Sequence, residues 1–170
     1  FQDTPVPMEN RLGEEGRGFN YAMDILDSSR IIIAAQCVGI GQSALEAAVR
    51  YAQQRETFGK PIAQHQAIQF MLAEMATAVH GARIATMNAA TLKDEGLPFV
   101  NEASMAKLIA SEMCVDVSSK AMQVHGGIGY FQDAGVERIF RDARVTTIYE
   151  GTSEVQKLII ARQILAQYPL

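Results

Sequence analysis

Residues 19–54 read FNYAMDILDSSRIIIAAQCVGIGQSALEAAVRYAQQ. Apolar side chains return every three or four positions, through Phe19, Ala22, Met23 and Leu26, then Ile33, Cys37, Ile40, Ala44 and Ala48. That period is helical, and the apolar stripe it draws is wide. The spacing predicts one long helix ending near Gln54, ahead of the breaker Thr57-Phe58-Gly59-Lys60-Pro61. At 1.5 Å per residue it runs roughly 50 Å. A helix that long leaves its stripe uncovered unless other helices pack on it.

The chain downstream supplies them. Residues 67–92 are rich in Ala, Met and Leu at helical spacing, and Gly96 with Pro98 closes that segment. A third helix is predicted from Phe99 to Val124, ending in Gly126-Gly127-Ile128-Gly129. A short helix follows at Ala134–Arg141. A last one runs from Ser153 to Ala166, with Thr152 or Ser153 as N-cap and Gln156 in a capping-box position. Upstream, residues 1–18 (FQDTPVPMENRLGEEGRG) break the pattern. Pro5 and Pro7 bar a helix there. A β-like piece at Phe1–Val6 and a turn at Gly13–Gly18 are expected instead. The fold class is all-α: an antiparallel four-helix bundle with a short extra helix, over residues 19–170.

Composition narrows the function. The 170 residues are 48% hydrophobic, with 15 Lys+Arg against 19 Asp+Glu and a net charge of −4. Such a chain buries a core, which argues against disorder. Its acidic balance argues against a nucleic-acid partner. Cys37 and Cys114 are too few for a disulfide scaffold and fit a reducing compartment. No apolar run of roughly 18 residues suggests a membrane span. No signal or transit peptide opens the chain, which begins at Phe1 as a cut fragment would. His65, His80 and His125 are scattered, so no metal site is expected. No G-x-S-x-G nucleophile elbow occurs.

Three stretches invite chemistry. In Arg55-Glu56-Thr57-Phe58-Gly59-Lys60-Pro61 a guanidinium stands beside an aromatic and a glycine, which suits a pyrophosphate joined to a flat ring system; taken by itself the stretch reads more simply as a helix stop with a favourable dipole contact. Gln123-Val124-His125-Gly126-Gly127-Ile128-Gly129-Tyr130 carries more glycine than a C-cap needs and lets a ligand approach the backbone. From Arg141 to Glu154 an apolar extended piece delivers Tyr149-Glu150 to Gly151, just before a helix N-cap. A carboxylate there in an apolar pocket would have its pKa raised by desolvation and could serve as a general base. The helix N-terminus beside it offers free N–H groups. A solvated loop glutamate is the alternative.

Together these stretches resemble the C-terminal helical domain of the acyl-CoA dehydrogenase family over the whole chain. Leu26-Asp27-Ser28-Ser29-Arg30, Arg55–Gly59, Gln123–Tyr130, Arg141–Arg144 and Ile148–Gln156 carry the resemblance, with Phe1–Pro7 and Leu12–Gly16 ahead of them. The short-chain and short/branched-chain members look closest. The resemblance implies that Glu150 takes the α-proton of an acyl-CoA thioester while FAD accepts the β-hydrogen as hydride, giving a trans-2-enoyl-CoA. The Glu150 backbone N–H and a flavin ribityl hydroxyl would polarise the thioester oxygen, and Gly151 would border it. Arg55, Gln66 and the segment Gln123, Val124, His125, Gly126, Gly127 match positions that bind FAD across a subunit interface, and Phe58 is matched to cofactor binding with them. Thr152, Ser153 and Glu154 match FAD contacts within the subunit. Phe19, Asp27, Ser28, Ser29 and Arg30 match the stretch lining the CoA and acyl channel. In isovaleryl- and long-chain-type relatives the base stands at the position of Ser29, which serine cannot replace.

The family resemblance also implies an electron-transfer flavoprotein as partner and a homotetramer built as a dimer of dimers. The compartment would be the mitochondrial matrix in a eukaryote or the cytoplasm in a bacterium. Residues 1–18 would end a middle β-domain, and the stretch alone is expected to bind FAD weakly and not to turn over. An acyl-CoA oxidase and a catalytically silent oligomerisation module are the alternatives.

Overall fold

A computed structural model describes residues 1–169. Leu170, the last residue of the expected helical domain, lies outside the described residues. Five α-helices occur among them: α1 (Gly18–Gln54), α2 (Gln66–Asp94), α3 (Val100–His125), α4 (Val136–Val145) and α5 (Ser153–Gln167). Short links make α1, α2 and α3 sequential neighbours. α3 is the central stave and packs on α1, α2, α4 and α5.

Alanine sets how closely these helices approach. Ala34, Ala44 and Ala48 on α1, Ala82 and Ala89 on α2, and Ala103, Ala106 and Ala110 on α3 are fully buried. Gly41 extends this: a Cβ there would stand 2.7 Å from Met113 Sδ. Met75, Val79, Val117 and Val136 fill the remaining volume. By length and composition α1 is long and apolar enough to cross a membrane, which corrects the expectation drawn from apolar runs. Its apolarity serves the bundle, since its buried face packs on α2 and α3.

Several local readings need correction. Residues 1–7 form no strand. Asp3 turns to φ 48°, and the proline nitrogens of this exposed segment donate no hydrogen bond. A minimal hairpin, absent from the expectation, follows α1: β1 (Glu56–Thr57) pairs antiparallel with β2 (Lys60–Pro61). Its turn places Phe58 and Gly59 at φ 51° and 75°, the left-handed pair that a tight two-residue hairpin requires. α4 begins two residues later than expected, because Gly135 at φ 68° separates it from a 3-10 turn at Gln132–Ala134. Thr152 is the cap of α5, with its Oγ1 accepting the Val155 N–H at 3.3 Å. That cap places Gln156 beyond the capping-box position, and its side chain goes elsewhere.

Candidate active site

The expected extended run before Glu150 is a turn. Ile148 N–H and Tyr149 N–H both donate to Val145 O, continuing the coil of α4 before the chain reverses. Ser153 N–H closes the loop onto Thr147 O at 3.1 Å. Inside it, Glu150 and Gly151 take φ 54° and 89°. A left-handed glutamate is uncommon, and its strain must be held by its surroundings.

What holds it comes from three helices. From α1, Ser29 Oγ donates to Glu150 Oε2 at 2.6 Å, across 121 residues of sequence. From α3, Lys107 Nζ donates to Gly151 O at 2.8 Å. From α5, Gln156 Nε2 donates to the same oxygen at 3.1 Å and lies 3.5 Å from Glu150 O. Lys107 and Gln156 are both fully buried. Burial pushes the Lys107 amine below its ordinary pKa, a trend opposed by Cys37 and Glu112. Tyr149, held by Gln36 at 2.8 Å, is raised by its own burial. Beneath the loop, Cys114 Sγ lies 3.3 Å from Thr146 Oγ1, and the hydrogen bond with the Cys37 thiol, followed by burial, pushes the Cys114 thiol up.

Glu150 is half-buried, with a hydroxyl as its hydrogen-bond partner, so the expected apolar enclosure is not what this chain provides. Gly151 adjoins it as expected. Arg30 and Asp27 pair with each other at 2.5 Å, and Arg30 is buried, so this pair braces α1 under the site. Ser28 is half-buried. Phe19 is exposed in the first turn of α1, about 15 Å along the helix from Ser29.

The residues matched to FAD fall in separate places. Arg55, Val124, His125, Gly126 and Gly127 converge on an open cleft of about 400 Å³ beside Tyr51 and Thr57. Tyr51 stacks on the His125 ring at 4.3 Å, and His125 Nδ1–H donates to Ala121 O at 2.7 Å. Gln123 is exposed on an adjoining cleft that shares Gly126 and Gly127. Phe58 projects from the hairpin tip and Gln66 is exposed at the start of α2; neither lines the Arg55 cleft. Thr152, Ser153 and Glu154 line a third cleft of about 220 Å³, with Glu112 and Arg144. Ser153 Oγ donates there to Glu112 Oε1 at 2.6 Å. The Arg55 and Thr152 clefts have no lining residue in common.

Residues 16–165 match the family model described as the acyl-CoA dehydrogenase C-terminal domain. The chain belongs to the acyl-CoA dehydrogenase family. It is 51% identical over 168 residues to the mitochondrial short-chain specific acyl-CoA dehydrogenase of Bos taurus, covering 99% of this chain and 41% of that protein. It is 50% identical to the caffeyl-CoA reductase-Etf complex subunit CarC of Acetobacterium woodii, covering 97% of this chain and 44% of that one. The butyryl-CoA dehydrogenase structure from Megasphaera elsdenii superposes with a TM-score of 0.94 at 47% identity, over 97% of this chain and 43% of that one. The chain thus spans about two fifths of the length of these relatives. Within the family frame, Lys107 escaped the sequence reading, and the spacing makes Gln156 a capping-box residue instead of a donor to the loop. A signal existed for Lys107: a charge among Ala103, Ala106 and Ala110 sits on the apolar face of its helix.

Proposed function

We propose that this chain forms the base-bearing helical part of a flavin-dependent acyl-CoA dehydrogenase acting on short or branched acyl-CoA. The carrying observation is the Ser29–Glu150 contact at 2.6 Å. It brings together both positions at which family members carry the base, and only Glu150 is a carboxylate. In this reading Glu150 takes the α-proton from the thioester, and the β-hydrogen leaves as hydride, so the product is a trans-2-enoyl-CoA. FAD, when bound, supplies the hydride acceptor.

The residues present suit that cofactor. Arg55 offers a guanidinium for a pyrophosphate. Gly126 and Gly127 leave open space where a Cβ would project, so a ligand can lie against the backbone. Thr152, Ser153 and Glu154 offer a second polar edge beside the start of α5. The separation of the two clefts supports contributions from different subunits, as in a dimer of dimers. The Etf-complex relative favours an electron-transfer flavoprotein as the electron-transfer partner. Relatives from mitochondria and bacteria suit a matrix enzyme in a eukaryote or a cytoplasmic one in a bacterium. Residues 1–18 then belong to the end of a middle β-domain and its linker.

Glu150→Gln in the holoenzyme tests the base. A positioned general base contributes about 10²–10⁴-fold. Flavin reduction by butyryl-CoA and α-proton exchange should fall by that order while flavin content is kept. Near wild-type rates for both would remove Glu150 from the role.

A further inference from the structure

We propose that Lys107 and Gln156 are positioning residues for the Glu150 carboxylate, acting through the Gly151 carbonyl oxygen. The inference rests on Glu150 being the base and adds what aims it.

The Gly151 oxygen receives two donors from two different helices, at 2.8 Å from Lys107 Nζ and 3.1 Å from Gln156 Nε2. Both donor side chains are fully buried, and the Gly151 carbonyl they meet is on a half-buried residue. Burying an ammonium is costly unless its surroundings compensate. Lys107 forms no ion pair among the described residues, and its hydrogen bond goes to a loop carbonyl. A charge-assisted bond of this kind is about twice as strong as a neutral one. It falls on the peptide that follows two left-handed residues, where the backbone most needs outside support.

Steric limits reinforce the electrostatic ones. A Cβ at position 151 would stand 2.5 Å from Gln156 Nε2, so the amide forms a wall as well as a donor. With the Gly151 oxygen held and Ser153 N–H tied to Thr147 O, the loop has little freedom to turn Glu150 away from Ser29. Neither Lys107 nor Gln156 donates to the carboxylate itself, so their influence on it passes through the loop.

A base moved off the loop separates positioning from general stabilisation. Because Ser29 Oγ touches the Glu150 carboxylate, Ser29→Glu combined with Glu150→Gly places a carboxylate in the same space from α1. Lys107→Met and Gln156→Met are each measured in the native holoenzyme and in this relocated one. In the native background kcat should fall about 10- to 100-fold for Lys107→Met, the scale of a lost charged hydrogen bond, and about 5- to 10-fold for Gln156→Met, the scale of a neutral one, with KM moved less than about threefold. In the relocated background the fall should be smaller, about threefold, since the base no longer rides on the loop and only the residue-150 N–H facing the thioester oxygen still does. Equal losses in both backgrounds, or an unchanged kcat in the native one, would overturn the proposal. Should Lys107→Met yield no folded holoenzyme, Gln156→Met is read alone. If the relocated enzyme proves inactive, the readout is the crystal structure of the Gln156→Met holoenzyme. There, a Ser29–Glu150 contact still at 2.6 Å overturns positioning, and a displaced Glu150 supports it. Full activity in Glu150→Gln would sink the base assignment and leave this structural readout standing.

Discussion

Glu150 sits at φ 54° and Gly151 at φ 89°, and only the second residue tolerates its conformation without cost. A non-glycine residue held in the left-handed region carries about 1–3 kcal/mol of strain, and the loop stores it at the Glu150 carboxylate. Gly151 therefore has two reasons to lack a side chain: its dihedral angle and the Gln156 amide 2.5 Å from where a Cβ would be. Gly151→Ala should displace that amide and turn the loop. Holoenzyme activity should drop at least about tenfold, with the thermal midpoint lowered in the same preparation, since the strain alone is about 1–3 kcal/mol. Activity and midpoint both unchanged would show that the loop relaxes around the methyl group. At this scale the sequence displayed the carboxylate and the glycine, because Tyr149-Glu150-Gly151 stands just before a cap. It concealed Lys107 and Gln156, whose donors reach the loop from α3 and from the first turns of α5. Such meetings depend on how helices cross, and spacing along one helix does not encode them.

The elements were legible where one apolar period runs long. α1, α2 and α3 begin and end within one or two residues of the spacing-based limits, because their stripes dominate local preference. The reading slipped where a single dihedral angle decides. Gly135 delays α4, Phe58 in the left-handed region makes a hairpin, and the choice of Thr152 over Ser153 as cap frees Gln156 for the Gly151 oxygen. The cap has a measurable value. Removing the Thr152 hydroxyl leaves the Val155 N–H without its acceptor, so Thr152→Ala should cost about 0.5–2 kcal/mol in a denaturant titration. An unchanged midpoint would mean that water replaces the cap fully. Glu154, in the first turn of α5, reports on the same end of the helix. Its own backbone N–H, and next the Thr152 hydroxyl, hold its carboxyl below the ordinary glutamate range. A carboxyl lowered by folding contributes stability above its unfolded pKa and loses it as pH falls through the folded value. Thr152→Ala should move the Glu154 titration upward by carbon-detected NMR, and a titration that stays put would remove the hydroxyl as a cause.

Across the whole molecule, α3 links the two regions that the family reading assigns to flavin. Its C-terminal end, with His125 and the glycines after it, meets Arg55 at the end of α1; further back, Glu112 and Val115 meet the start of α5. The fold therefore keeps the regions apart, as two open clefts with no lining residue in common. Small-molecule sites bury most of their ligand, and neither cleft closes over one. A cofactor that needs both sets of residues draws them from two copies of this surface, or from one copy together with other protein. The resemblance matches both sets of residues to flavin contacts, but the sequence could not show that they fail to meet, because that depends on the roughly 20 Å of α3 between Glu112 and His125. The purified chain should accordingly carry no stoichiometric flavin, and added FAD should be lost on gel filtration, as read from visible flavin absorbance against protein concentration. One flavin retained per chain would mean that the two clefts close around a single cofactor in solution, and the separation that supports a two-subunit site would no longer count in its favour.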